Sequence, residues 1–143
     1  MTVAEFDSVR AQSRDALGQI AKGDPAGYMA LFSHGDDVTL GNPFGGFARG
    51  WEAVAERIER AASLYTDGET TSFETISECV TPELTYTVEI ERFRTRVGGR
   101  SDKTELALRV TCIYRREDDG WKLVHRHADP RVEPQAAESV IQD

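Results

Sequence analysis

The sequence predicts an α+β domain in which three N-terminal helices close a cone-shaped, curved antiparallel sheet. Apolar residues repeat at helical spacing up to about residue 65, and from about residue 71 they alternate at every second position. Short connections join the later strand-like segments, which is typical of antiparallel pairing. A chain of 143 residues has room for one core but not for two domains of ordinary size.

The N-terminal segment predicts two consecutive helices. The first begins with a capping box formed by Thr2 and Glu5. Residues 23–25, Gly-Asp-Pro, end that helix and begin the second, because Asp is a good N-cap and Pro suits the first helical position. The second helix stops near residues 33–35. The apolar residues of the pair recur at helical spacing: Val3, Phe6, Val9, Ala16, Leu17, Ile20, Tyr28, Met29, Leu31 and Phe32.

A brief strand over residues 38–40 leads into the loop GNPFGGFARG at 41–50, whose glycines and proline are expected to forbid regular structure. A third helix follows and ends at residues 66–68, Thr-Asp-Gly. Its charged residues lie largely opposite one apolar face. That face comprises Trp51, Val54, Ile58, Ala61 or Ala62, and Tyr65.

Four strands are predicted from the two-residue alternation, at 71–80, 84–97, 104–116 and 121–127. In the second, the apolar residues move from even positions to Phe93 and Val97, which predicts a bulge or strong bend near Glu91 and Arg92. We expect the curved sheet to wrap around the third helix. The domain is predicted to span residues 1–130, followed by a loosely held tail at 131–143.

Charge and composition exclude several classes of partner. A net charge of −8 argues against nucleic acid, which selects for a surplus of Lys and Arg. No apolar run is long enough to cross a membrane, and the N-terminus lacks a secretory signal, so a cytoplasmic location is expected. Cys79 and Cys112 lack metal-binding spacing and are expected to be buried thiols; a disulfide is the less favoured alternative.

Three segments resemble the nuclear-transport-factor-2-like superfamily, in its SnoaL-like and ketosteroid-isomerase-like branch: GDPAGYMALFSHGDDVTLGNPFGG, RGWEAVAERIE and LRVTCIYRREDDGWKLVHRHAD. The resemblance implies a bent sheet closed by helices, with an apolar pocket at its wide end. It also implies homodimers that pack through their sheets. Enzymes of this branch are isomerases, cyclases, dehydratases or epoxide hydrolases that need no metal or cofactor, and other members only bind or assemble.

The resemblance does not carry over the isomerase site. The isomerases have an aspartate before proline after the first strand, whereas this chain has Asn42-Pro43, and an amide cannot act as a general base. Their tyrosine corresponds to about Leu17. Their second acidic residue corresponds to about Val110 or Cys112. We therefore expect no steroid isomerase activity.

The closing segment WKLVHRHADP supplies the predicted catalytic residues. Simple alternation places Trp121 and Leu123 with His125 and His127 on the interior face, and Arg126 on the opposite face. A histidine there could be a general acid or base, or it could only form hydrogen bonds at the rim.

Asp129 could orient a histidine or activate water, or it could be a turn residue before Pro130. The two histidines could also share a metal ion with Glu89, Glu91 or Asp129. That alternative is less favoured because no spacing specifies the third ligand, so no metal is predicted.

Six further residues are candidate ligand contacts. Arg109, if it points inward, would be a buried cation paired with Glu89 or Glu91, either stabilising an anionic intermediate or bracing the sheet. Asn42 could form hydrogen bonds at the pocket edge or a turn, and Phe44 could cover the ligand or anchor its loop. The remaining three lie on helical faces, where core packing is the alternative: Tyr28, Phe32 and Trp51.

The leading functional hypothesis is a pocket for a compact, largely apolar small molecule that carries a carbonyl, hydroxyl or carboxylate group. The chain would then be either an enzyme of the isomerase, lyase, cyclase or dehydratase type or a binding protein without chemistry. A dimeric assembly module with a filled interior is the third alternative. The predicted partners are a small-molecule ligand and a second copy of the chain, with no nucleic acid, membrane or cofactor.

Overall fold

A computed structural model of the protein describes residues 3–143. Its helices and strands are, in chain order, α1 Val3–Ile20, α2 Ala26–Leu31, β1 Thr39–Gly41, β2 Ala48–Arg49, α3 Trp51–Ser63, β3 Tyr65–Val80, β4 Leu84–Val97, β5 Thr104–Glu117, β6 Gly120–Asp129 and a 3-10 helix at Ala137–Val140. The α+β class and the three helices are therefore confirmed. The capping role expected of Thr2 lies outside the described residues.

The six strands form one sheet in the order β2-β1-β6-β5-β4-β3, and the sheet is not closed. All neighbours are antiparallel except β1 and β6, which run parallel and pair Thr39 with His125 and Gly41 with His127. The prediction of an entirely antiparallel sheet is thus wrong at one pair. Parallel pairing is possible there because the rest of the sheet and α3 separate the two strands in sequence.

The helices pack against one face of the sheet, called the inner face below. Five of the apolar residues predicted for the first two helices are buried: Phe6, Ala16, Leu17, Tyr28 and Phe32. Phe6 of α1 is fully buried and meets Tyr114 edge-on at 5.1 Å and Trp121 at 6.0 Å between ring centroids. The buried residues of α3 are Val54, Ile58 and Ala62. Ala62, and not Ala61, therefore completes the helical face.

Gly68 brings the end of α1 against the sheet. Its N–H donates to the Ala21 carbonyl at 3.0 Å, and an added Cβ would lie 2.3 Å from the Thr95 side chain and 2.6 Å from that carbonyl. Residues 66–68 were predicted to end the third helix, but α3 ends at Ser63 and β3 begins at Tyr65, with one residue between them. The glycine serves close packing of helix on sheet, and not helix termination.

The glycine-rich loop at 41–50 contains a two-residue strand, so the prediction that it lacks regular structure is wrong. β2 pairs with β1 through Thr39–Arg49 and Leu40–Ala48. The chain can turn back there because the glycines permit a tight reversal, after which Ala48 is buried against the core.

The predicted bulge in the long strand β4 is wrong. β4 pairs with β5 without interruption from Leu84–Arg115 to Thr95–Thr104. The register shifts lie instead in its other neighbour, β3. Even-numbered apolar residues of β4 face away from the helices, which explains why the sequence suggested a change of face. The residues buried on the inner face are Thr85, Thr87, Glu91, Phe93 and Thr95.

Cys112 is buried, as predicted, whereas Cys79 is exposed on β3, an edge strand that the helices cover less. Beyond Pro130, the chain is mainly exposed, and Arg131 donates to the carbonyl and hydroxyl of Ser139, both at 3.0 Å. Among residues 3–143, no helix is both long and apolar enough to cross a membrane.

Candidate functional site

A one-residue bulge in β6 decides which of its side chains face the interior. Ile113 of β5 pairs with His125, but the next residue, Tyr114, pairs with Leu123, so Val124 is an extra residue on β6. Such an insertion reverses the alternation of faces beyond it. Leu123 is buried before the bulge, and Arg126 and Ala128 are buried after it.

The predicted inward orientation of His125 and His127 is therefore wrong, because both follow the bulge and lie on the outer face. Thr39 Oγ1 is 2.7 Å from Nδ1 of His125, whose pKa is lowered by partial burial and by the neighbouring His127. The His127 side chain is 45% exposed, and its Nε2 lies 3.3 Å from Asp129 Oδ2. Phe47 meets the His127 ring edge-on at 5.7 Å.

Arg109 also lies on the outer face, which corrects its expected place in the interior. β5 buries its even-numbered residues, so Arg109 is left 59% exposed and pairs with Asp129, with Nη2–Oδ2 at 2.9 Å and Nε–Oδ1 at 3.2 Å. Partial burial raises the pKa of Asp129, but the bonds from Arg109 and from the Arg131 N–H outweigh it and hold that pKa below its usual value.

Among the residues whose burial is described, the buried cation is Arg126, and its partner is Glu91 on the inner face of β4. Their side chains are 8% and 2% exposed, and two parallel bonds join them, Nη1–Oε2 at 2.9 Å and Nη2–Oε1 at 2.8 Å. The guanidinium carbon lies 5.5 Å from the centre of the Tyr28 ring. Burial opposes the charge on Arg126, but the attraction of Glu91 outweighs it and keeps the pKa above its usual value.

A cavity of about 60 Å³ lies between the helices and the inner face of the sheet. Its walls are mainly apolar, and the Arg126 side chain enters it from β6. Two predicted ligand contacts, Tyr28 and Asn42, also line it. The other lining residues are Leu17, Ile20, Ala21, Leu40, Pro43, Ile58, Ala61, Tyr65, Phe93, Thr95, Leu106 and Leu108.

One residue of this cavity, Tyr28, has a buried hydroxyl without a hydrogen-bond partner in the described residues. Tyr28 is 3% exposed, and its hydroxyl has no hydrogen-bond partner within residues 3–143. Burial raises the pKa of the phenol well above its usual value, so the group keeps its proton. It is therefore available as a hydrogen-bond donor. Asn42 differs, because its Oδ1 already accepts a bond from the Phe44 N–H at 3.1 Å.

A larger groove of about 590 Å³ adjoins the cavity and shares Pro43, Tyr65, Leu106 and Leu108 with it. Phe44 lies in this groove, not in the cavity, with its ring 6.0 Å from that of Tyr65 and half of its surface exposed. The start of the tail forms the opposite wall, with Pro130, Val132, Glu133 and Gln135. Phe44 is thus placed at the approach to the cavity.

Two other predicted ligand contacts, like Arg109 and Phe44, lie outside the cavity. Phe32 is 1% exposed and packs in the core against Tyr28, at 5.6 Å between ring centroids. Trp51 stacks on His34 at 3.9 Å, next to a shallow surface depression. No three histidine, cysteine or acidic side chains converge to hold a metal ion anywhere in the described part of the chain.

Sequence reasoning missed Arg126 and Glu91 as a pair. The signal for Glu91 is its position two residues before Phe93, since residues at this spacing share a strand face. The adjacent apolar residues Leu123 and Val124 are the weaker signal for a bulge in β6. These two signals together would have placed the Glu91 carboxylate and the Arg126 guanidinium on the inner face of the sheet.

Comparisons with known proteins agree with this architecture. The sequence profile of the SnoaL-like domain matches residues 9–131. A search of curated proteins found no match.

Among solved structures, a nuclear transport factor 2 (NTF2-like) superfamily protein from Salmonella enterica serovar Typhimurium is similar with a TM-score of 0.74 at 16% identity, covering 94% of this chain and 95% of that one. A ketosteroid isomerase-like protein from Erwinia carotovora atroseptica gives 0.72 at 15% identity, covering 93% and 100%. A cystatin-like domain of unknown function from Nostoc punctiforme gives 0.70 at 16%, covering 97% and 91%. At these identities, the likeness supports the fold alone.

Proposed function

The chain belongs to the SnoaL-like domain family, and from that premise we propose that it binds a compact, largely apolar small molecule in the cavity between its helices and sheet. The observation that carries the proposal is the Tyr28 hydroxyl, a buried donor without a partner on a residue that lines a mainly apolar cavity. Small-molecule sites combine these two features, an apolar wall and a few placed polar groups.

The energetics favour a ligand that carries one hydrogen-bond acceptor. A buried polar group without a partner costs about 1–3 kcal/mol, which an acceptor next to Tyr28 would recover. Apolar ligand surface adds about 25 cal/mol for each Å² removed from water. The cavity is small beside the ~300–1,000 Å³ of drug-sized sites. Since a cavity that holds benzene measures about 150 Å³, a ring-sized ligand fills the cavity and extends past Phe44 into the adjoining groove.

Binding is better supported than proton transfer by histidine. His125, His127 and Asp129 lie on the outer face, so none of them reaches a molecule in the cavity. The positions that correspond to the isomerase groups hold Leu17, Asn42 and either Val110 or Cys112, so the isomerase carboxylates and tyrosine are all missing. If the family's isomerase or dehydratase chemistry occurs in this chain, the Tyr28 hydroxyl is the group that would donate to the substrate oxygen.

The test uses acetophenone, a compact ketone with an apolar ring, in NMR titrations of the protein. We expect saturable shifts of the Leu17 and Leu108 methyl groups, which line the cavity. Tyr28→Phe should weaken binding about 3- to 10-fold, the value of one neutral hydrogen bond. His127→Ala, on the outer face, is the matched control and should leave the affinity unchanged. Shifts confined to the surroundings of His127, or no saturable shift, would refute the cavity as the site.

We also propose that the protein forms a homodimer through the outer face of β4 and β5. Leu84 and Tyr86 are 50% and 42% exposed there, and Val88, Ile90 and Ile113 continue the apolar surface. An exposed apolar surface of this kind marks an interaction site.

Sedimentation equilibrium tests the dimer. Tyr86→Arg should give a monomer, whereas Ile141→Arg, at a still more exposed apolar position in the tail, should not change the association state. A monomeric wild-type protein at high micromolar concentration would contradict the proposal.

A further inference from the structure

The cavity wall contains one buried positive charge, on Arg126, and a carboxylate neutralises it. Arg126 is the one Lys, Arg or His side chain among the described residues that lines the cavity. Both of its terminal nitrogens bond to the two oxygens of Glu91. Because both side chains are nearly fully buried, neither charge is shared with water. A ligand in the cavity therefore meets a neutral ion pair and not a free guanidinium.

We propose that Glu91 is the residue that determines ligand charge: by neutralising Arg126, it makes the cavity select uncharged molecules and exclude carboxylates. This inference rests on the proposed binding function. It assigns to Glu91 a role in specificity and not in chemistry, because Glu91 acts on the ligand through Arg126.

A carboxylate is excluded because it would bring a second negative charge to a cation that already has its partner. A buried charge without its own counter-charge is strongly unfavourable. No other cation is available in the cavity wall, as far as the chain is described. Arg14, which pairs with Glu89 at 2.8 Å, does not line the cavity.

An uncharged acceptor avoids this cost. A ketone, aldehyde or ether oxygen needs only the Tyr28 hydroxyl, which keeps its proton and has no other partner in the described part of the structure. The hydrogen bond then forms between two neutral groups, and the Arg126–Glu91 pair stays intact. The arrangement thus separates two classes of ligand that have the same shape but differ in charge.

Three probes with the same number of non-hydrogen atoms isolate the effect of charge: acetophenone, benzoate and α-methylstyrene. In the wild-type protein, we expect acetophenone to bind most tightly, α-methylstyrene next, and benzoate at least about tenfold more weakly than acetophenone. Affinities are measured by NMR titration at pH 7, where benzoate is fully ionised.

Glu91→Gln is the decisive variant because it keeps the shape of the side chain and removes its charge. Benzoate should then bind at least about tenfold more tightly than it binds the wild type, since a carboxylate can now satisfy Arg126. Glu89→Gln is the matched control, because Glu89 is on the inner face of the same strand but pairs with Arg14 and not with Arg126. The Glu89→Gln variant should bind benzoate as weakly as the wild type does.

The double variant Glu91→Gln with Arg126→Gln removes both charges and should again exclude benzoate while it retains acetophenone. If Glu91→Gln is too unstable for titration at ambient temperature, its thermal midpoint is measured with saturating benzoate or acetophenone; a larger rise with benzoate supports the inference.

Equal binding of benzoate and acetophenone to the wild type would overturn the role of Glu91, and so would a Glu91→Gln variant that gains no benzoate affinity. These outcomes are distinct from failure of the binding proposal, in which acetophenone does not bind the wild type at all. In that case, the affinity of Glu91→Gln for benzoate still tests whether Glu91 neutralises Arg126: binding supports this role, and no binding contradicts it.

Discussion

The stability of the fold should depend on the Arg126–Glu91 pair in a strongly non-additive way. The perturbation is a double-mutant cycle of Glu91→Leu, Arg126→Met and the two together. Each single replacement leaves one charge buried without its partner, in a place where the side chains are 8% and 2% exposed. The expected cost is therefore the buried value of about 3–5 kcal/mol and not the ~0–1 kcal/mol of a surface pair.

For a chain of 143 residues, such a loss lowers the melting temperature by roughly 10–15 °C. The double variant replaces the pair by apolar side chains in a largely apolar cavity, so it should be more stable than either single variant and within about 2 kcal/mol of the wild type. Arg109→Ala breaks the exposed pair with Asp129 and serves as the control, with an expected cost of about 0–1 kcal/mol.

The assay is urea unfolding at pH 7 with linear extrapolation, at one fixed protein concentration because dimerisation would contribute to stability. The reasoning is refuted if the two single costs add in the double variant. It is also refuted if either single replacement costs no more than Arg109→Ala.

Two further predictions concern packing and charge. Gly68→Ala should lower the melting temperature strongly, because its Cβ would lie 2.3 Å from the Thr95 side chain; a variant as stable as the wild type in thermal unfolding would contradict the close packing of α1 on the sheet. NMR titration should find the pKa of Asp129 below 3.8 and closer to the usual value in Arg109→Gln. Because the folded pKa is the lower one, this pair stabilises the fold above about pH 4, and the contribution is lost as the pH falls through that pKa.

The sequence predicted the elements of the fold better than the faces of its last strands. β4 has the predicted bounds, and the buried face of α3 follows its apolar pattern, because a period of 3.6 residues reports which side of a helix is covered. The period of 2 located β4 but not its buried face, since its even-numbered apolar residues face away from the helices. Register between strands is different, since it depends on partners that are far apart in sequence. The parallel pairing of β1 with β6 had no local signal.

The largest error arose from one residue, Val124. Alternation through WKLVHRH assigns the histidines to the interior, and a single extra residue reverses that assignment and puts Arg126 there instead. Glu91 was considered as a partner for Arg109, but β5 turns Arg109 outward. The identity of the buried carboxylate was thus within reach of the sequence, whereas its cation depended on a bulge that tertiary packing selects.

A crystal structure of the protein with acetophenone bound tests the central claim most directly, that the ligand site is the inner cavity with Tyr28 as donor. We expect the ketone oxygen within about 2.6–3.2 Å of the Tyr28 hydroxyl, with Arg126 still joined to Glu91. Acetophenone found on the outer face beside His127 and Phe47, or a ketone oxygen bonded to an Arg126 that has left Glu91, would contradict it.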